Sequence, residues 1–185
     1  MTVVGIVGVL SVVAYTGYHK FVTRSQLSEA TNVLAGIKMQ QERYKAETGS
    51  YLNISPSLAA NTASTAVTAY PHCTIGMTPG AQKLQWGGGT SAPACPTSCC
   101  NSGTNWTKLR VETNAPTYYG YSTIAGAKGG TPTGVTIGGA TPNWGTPVGP
   151  WFVATALGDP DGNSIFSTEM ISSFDNEVYV DNEGE

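Results

Sequence analysis

Residues 1–18 read MTVVGIVGVLSVVAYTGY, and none of these side chains carries a charge at neutral pH. His19 and Lys20 are the first basic groups after it. An apolar run of ~18 residues predicts a membrane-spanning helix, whereas 10–14 would suggest a buried helix or a signal core. The chain then turns amphipathic and stays helix-compatible to about Leu52. Leu27, Ala30, Leu34, Ile37, Gln41, Tyr44, Thr48 and Tyr51 fall in steps of three and four, on one helix face. That stripe predicts packing on a domain, with Leu27, Leu34, Ile37, Tyr44 and Tyr51 as its anchors. No proline interrupts the first 52 residues. At ~1.5 Å per residue, ~50 residues make a rod of ~75 Å, far longer than a small domain needs. One half must therefore project.

The projecting half carries Val3, Val4, Ile6, Val7, Val9, Leu10, Val12, Val13, Tyr15 and Tyr18. Gly5, Gly8, Gly17 and Gly36 each weaken a helix by ~1 kcal/mol against Ala. Gly17, beside β-branched Thr16, is the expected place for local melting. Gly49 fits a helix C-terminal signal. No basic region precedes the apolar core and no clean small-x-small cleavage site comes after it, so a retained helix is expected rather than a cleaved signal. Lys20 and Arg24 would place the rest of the chain in the cytoplasm. The cysteines point the other way, and a basic leader ahead of residue 1 would reconcile the two.

Charged residues make up 11% of the 185, well under the usual ~25%. Gly, Pro, Ser and Thr take their place, which predicts turns and β-structure. The net charge of −3 hides an asymmetry. Residues 1–158 hold all nine bases against four acids, and residues 159–185 hold eight acids and no base. No basic stripe suited to nucleic acid exists. Opposite-sign regions fit self-assembly; a solvated acidic tail is the plainer account. The four cysteines, Cys73, Cys95, Cys99 and Cys100, lie in a loop-rich segment, which predicts disulfides in an oxidising compartment. Three pairings exist. A vicinal Cys99–Cys100 bond would be strained, so each is expected to bond to Cys73 or Cys95. The spacing lacks the paired C-x2-C of a zinc site, and His72 is the only nearby histidine.

Beyond the helix, residues 53–70 read as a loop with a short helix near 57–66. Residues 71–105 read as an irregular segment pinned by disulfides. Period-two alternation then predicts strands at 106–112, 117–124, 151–157 and 164–171, with a short fifth at 177–180. Residues 126–150 read as a long exposed loop. The fold class is α+β, one long N-terminal helix packed on an antiparallel sheet of about four strands. The chain divides into a protruding apolar helix (1–25), an amphipathic helix half (26–52), a connecting cysteine-rich loop (53–105) and the sheet with the C-terminal region (106–185).

The first 52 residues resemble the N-terminal helix of type IV pilins. The family's apolar run has a Gly-Ile-Leu-like segment at its end, matched here by Gly8-Val9-Leu10. Phe21-Val22-Thr23-Arg24-Ser25-Gln26 and Ser28-Glu29-Ala30 come next. Gln41-Glu42-Arg43-Tyr44 leads to Gly49-Ser50-Tyr51 at the helix end. The C-terminal stretch from Trp151 is similar in style to the last strands of some deltaproteobacterial pilins. The resemblance implies the pilin fold and a structural subunit that polymerises through its helix into an extracellular filament, serving attachment, adhesion or motility. It implies an inner-membrane precursor, processed by a prepilin peptidase and drawn out by an ATPase-driven assembly machine. Its partners would be copies of itself in a helical homopolymer. The family's mature chain begins with an aromatic and a Thr-Leu-Ile-Glu-Leu-like segment ahead of the position of Met1. The expectation is that the true start lies upstream; the rival is a subunit without the family glutamate. Thr16 also stands where the family has a helix-breaking proline, which leaves Gly17 as the local weak point.

Asp159-Pro160-Asp161-Gly162-Asn163 offers oxygens at alternate positions, the spacing calcium loops use. Asp159, Asp161 and Asn163 are the candidate ligands for calcium, and no other cofactor is expected. The EF-hand pattern fails, and a tight turn is near ideal for the same residues. Asn53-Ile54-Ser55 and Asn105-Trp106-Thr107 match a glycosylation sequon that is common by chance. Tyr15, Tyr18, Phe21, Tyr44 and Tyr51 are read as packing residues rather than a conducting array. No haem, P-loop or hydrolase motif occurs, so no enzyme is expected. Two other function classes fit: a pseudopilin of a type II secretion-like system, which a calcium site would favour, and a monomeric binding module on a membrane anchor.

Overall fold

The apolar and amphipathic halves of the N-terminal segment form one helix. A computed structural model describes residues 2–58, 69–72, 79–80, 82–86, 105–111, 113, 115–132 and 135–183. Helix α1 spans Thr2–Thr48, 47 residues or ~70 Å of rod. Strands β1 (Gly120–Gly126), β2 (Trp151–Gly158), β3 (Ser167–Ser172) and β4 (Tyr179–Asp181) form one antiparallel sheet in the order β1-β2-β3-β4. The fold is thus α+β, one long helix on a four-stranded antiparallel sheet.

Helix α1 ends because Gly49 turns left-handed at φ 82° and its N–H donates to Lys45 O at 2.7 Å. Its buried face is Leu27, Ala30, Leu34, Ile37 and Gln41, and it meets β2 and β3. Phe152, Ala154 and Ala156 of β2 face that stripe, together with Ile171 of β3 and Tyr121 of β1. Tyr44 is half-buried against the same core. Tyr51 lies beyond the helix end, and its ring packs 4.9 Å from that of Phe152. Gln41 is fully buried and binds the backbone of Leu52 twice, through Nε2 to its oxygen (2.9 Å) and from its N–H to Oε1 (3.0 Å). Those bonds fold the chain back against the helix. Gln41→Ala is expected to strand both backbone groups and lower stability by ~2 kcal/mol, read from the denaturant midpoint. An unchanged midpoint would show that the return is held by other contacts.

The sheet is buried on both faces. Trp151, Val153, Met170 and Ile124 form a second core on the side away from α1, with Val135 and Leu58. The segment at 126–150 is the mostly exposed loop expected from its composition, but some of its side chains turn inward. Val135 and Pro147 are buried and Trp144 is half-buried, because the back of β2 needs an apolar cover. Gly126 pairs with Trp151, and a Cβ there would run into the indole ring. The outer side of β1 is occupied by backbone from elsewhere. Tyr70 and Tyr121 exchange bonds of 2.8 and 2.7 Å, and Ser55 N donates to Thr123 O at 2.9 Å. Asn53 Oδ1 accepts from Ala125 N at 3.1 Å.

Two strand expectations need correction. Residues 105–109 are a helical turn, not a strand. Trp106 and Leu109 are both buried, a step of three that matches a helix better than a strand. Arg110 at φ 58° then closes the turn, and its N–H donates to Thr107 O at 3.1 Å. The strand expected at 117–124 begins only at Gly120; Thr117 instead bridges Leu84. The last strands lie within three residues of their expected bounds, at Ser167–Ser172 and Tyr179–Asp181. Of the short helix expected near 57–66, all but its first two residues lie outside the described residues.

Candidate functional site

The feature that sets this molecule apart from a closed domain is the free half of α1. Val3, Ile6, Val7, Val9, Leu10, Val12, Val13, Tyr15, Tyr18 and Phe21 are each between 57% and 72% exposed. Among the described residues, no part of the head covers them. Two hydroxyls in this half fold back on the helix itself: Ser11 Oγ donates to Val7 O at 2.8 Å and Thr23 Oγ1 to His19 O at 3.1 Å. Their polarity is spent internally, which adds to the apolar character of the rod. A Cβ at Gly5, Gly8 or Gly17 would touch nothing, so close approach of another helix is open at these points. The helix runs unbroken through Thr16 and Gly17, the expected weak point. Val4 and Thr16 belong to the helix by backbone, and their side chains lie outside the described residues. Among the described residues, no helix is long and apolar enough to cross a membrane. Tyr15 and His19 make an edge contact with ring centroids 4.4 Å apart.

Where the rod enters the head, polar side chains set its seating. Glu29 accepts from Tyr118 N at 2.9 Å and pairs with Lys83 at 3.3 Å. Lys38 Nζ donates to Asp175 O (2.8 Å) and Asn176 Oδ1 (3.0 Å). Lys45 Nζ donates to Tyr51 Oη, which in turn donates to Glu42. That bond from Lys45 raises the lysine pKa, and burial raises that of Tyr51.

Glu169 is the unusual member of this seam. It sits on β3, is fully buried, and faces Thr31 of α1. Thr31 Oγ1 lies 2.9 and 3.1 Å from the two carboxyl oxygens and 3.2 Å from Leu27 O. One hydroxyl proton cannot serve both acceptors, and a proton on Glu169 completes the chain to Leu27. Burial pushes Glu169 up to about 7, with the Thr31 bond opposing. Tyr119 and Tyr121 are buried in the same layer, and burial pushes Tyr119 up to about 12 and Tyr121 upward as well. A lone Glu in the strand sequence STEMIS gave no sign of this. Alternation puts Glu169 on the same face as buried Ile171, the one signal that could have found it.

The 159–163 segment is a closed turn. Asp159 is buried, and its two carboxylate oxygens accept from the N–H groups of Gly162, Asn163 and Ser164 at 2.9–3.1 Å. Asp161 accepts from the side chain of Asn163 at 2.8 Å. Gly80 lies under this turn at φ 100°, where a Cβ would run into the backbone of Asp159. Among the described residues, no group of three or more His, Cys, Asp or Glu could hold a metal ion. Asp159→Ala is expected to cost ~2 kcal/mol through lost charge-assisted bonds. Melting in chelator reports that loss free of any cation; a variant as stable as the parent would mean the turn closes without Asp159.

Cys73, Cys95, Cys99 and Cys100 lie outside the described residues. The asparagines of both sequons are used in packing: Asn53 against β1, and Asn105 through Nδ2 at 3.5 Å from Ile54 O. The sequence also gave no hint of an aromatic cleft at the β4 edge. It is lined by Ile137, Pro142, Trp144, Tyr179 and Val180 and encloses about 380 Å³. Asp175 holds its walls, accepting from Trp144 Nε1 (3.0 Å) and Tyr179 Oη (2.8 Å). Trp144 stacks on Phe174 at 4.8 Å. Comparison with protein-family models, with curated proteins and with solved structures finds no match for this chain.

Proposed function

We propose that this chain is a structural subunit that polymerises through the free half of α1 into an extracellular filament of the type IV pilus kind. The observation that carries the reading is the exposed apolar rod on a head whose own core is closed. Ten large apolar or aromatic side chains along the rod, each more than half exposed, form a patch far beyond what a monomer leaves to water. Copies of the same rod, side by side, are the cover whose chemistry matches all round. Before assembly the rod needs shielding too, and an inner-membrane stage with a prepilin peptidase and an assembly machine supplies it. The uncharged part, 2–18, measures ~26 Å at ~1.5 Å per residue, shorter than a hydrocarbon core of ~30 Å. This is in keeping with no described helix being long and apolar enough to cross one, so in this stage the rod inserts without spanning fully.

The test is composition. Filaments sheared from cells that make this protein should contain it at high copy. A trace amount would remove the major-subunit role. A monodisperse monomer in detergent, with no filament under any condition, would favour a membrane-anchored binding module.

A further inference from the structure

We propose that the aromatic cleft at the β4 edge is the seat for the rod of a second copy, at Lys20, Phe21 and Arg24. The inference rests on the polymer reading and names the head surface that reading leaves open.

The two surfaces match in chemistry. Among the described residues the ion pairs are Arg43–Glu47 and Lys83–Glu29. Lys20 and Arg24 are in neither, and both are exposed. They sit four apart on α1, and Phe21, three residues before Arg24, is that residue's neighbour on the helix surface at 72% exposure. The rod therefore carries one aromatic knob with two bases to one side of it. On the head, the cleft between Trp144 and Tyr179 is a preformed apolar hollow. Its walls are locked by Asp175, whose own charge is spent on Trp144, Tyr179 and Ser172. Asp181 lies beside Gly138 in the cleft's rim, Glu177 and Glu183 lie two residues outside β4 on either side in sequence, and none of the three is in an ion pair among the described residues. An aromatic hollow with acids close by fits an aromatic knob with bases close by.

The geometry also sets an offset that only a second copy can meet. Thr31 bonds Glu169 of β3, and Glu169 pairs with Val180 of β4. Asp175, which holds the cleft's walls, also accepts from Lys38 through its backbone oxygen, so the cleft is about level with positions 31–38 of its own helix. Phe21 lies 10 to 17 residues nearer the rod's free end, ~15–25 Å at ~1.5 Å per residue. A copy displaced by ~15–25 Å along the rod brings its cleft level with the first copy's Phe21. Repeating the step makes the contact head-to-tail and open-ended, the kind of contact that generates filaments.

The experiment places benzoylphenylalanine at position 21 and irradiates isolated filaments. Crosslinks are expected between position 21 of one copy and a peptide holding residues 137–144 or 179–183 of another. Crosslinks confined to other surfaces overturn this inference and leave the polymer reading standing. A chain that never forms filaments, even with its native Phe21, overturns both. As a second measure, Lys20→Glu with Arg24→Glu is expected to cut filament yield about tenfold by placing like charges together. Adding Asp181→Lys and Glu183→Lys to that variant should restore it. Head melting temperature is the control for folding in every variant. Failure of the compensating pair to restore filaments, with the head intact, overturns the charge match.

Discussion

Leu10→Lys is expected to abolish filament formation and leave the unfolding midpoint of the head where it was. Leu10 is 62% exposed in the free half of α1, far from the head. The head's core therefore does not notice the change. A polymer built on the rod does, because every copy would bury a lysine among aliphatic side chains. An unpaired buried charge costs several kcal/mol, and the cost recurs in each subunit. At the centre of a bilayer the same lysine costs ~2.5–3.5 kcal/mol, so a membrane stage would suffer as well. Leu10→Ala separates size from charge: it should thin the filament yield and not eliminate it. Sedimentation of assembled material and electron microscopy of cell surfaces read both. Normal filaments from Leu10→Lys would rule out the rod as their core.

The second large effect concerns Glu169 and pH. Its carboxyl titrates near 4.5 when exposed and is pushed up to about 7 in the head by burial. The folded state then holds more protons than the unfolded state between these values. Stability contributed by the protonated form is full below about 4.5 and is lost as pH rises through about 7. The loss is on the order of 2 kcal/mol, after allowing for screening beside the polar groups of that layer. Buried His72 runs the other way. Burial lowers its pKa from 6.5 to about 4, so stability is lost as pH falls through that range. In the parent protein the two slopes oppose each other between pH 4.5 and 6.5, and a shallow profile results. Glu169→Gln removes one of them. The variant should be more stable than the parent at pH 8, by ~2 kcal/mol, and equal to it near pH 4.5. Denaturant titrations across this range check the result. A difference that does not change with pH would mean Glu169 titrates normally in the head.

Periodicity made most of the fold legible. A step of three and four carried α1 from Leu27 to Gln41, and the runs at 151 and near 167 read as strands from their period-two alternation. It misled at Trp106-Thr107-Lys108-Leu109, where one short stretch matches both periods. Tertiary burial of Trp106 and Leu109 decided for a helical turn. β1 begins later than expected, at Gly120, and the ring of Tyr119 packs over Gly158, where a Cβ would come within 2.9 Å of it. The free rod was visible in composition alone, since eighteen residues without a charged side chain cannot be an ordinary surface. The cleft and the Glu169 seam were not. Both arise where segments more than 30 residues apart in sequence meet, and no local pattern encodes such a meeting.

The strand edge of the head has a consequence for crowding. If the rods gather, the heads around them stand at very high local concentration. An open strand there would invite its neighbours to add to it, and growth would turn toward stacked sheets. Here the outer edge of β1 is already filled by the backbone of Ser55 and Tyr70 and the side chain of Asn53. At the opposite end, β4 is three residues long and faces the 138 turn. The sheet offers little to copy in either direction, which leaves side-chain contact and the helix as the directions of growth. Opening the β1 edge, for example with Asn53→Pro, would expose the protein to a competing, amyloid-like path that its present shape blocks.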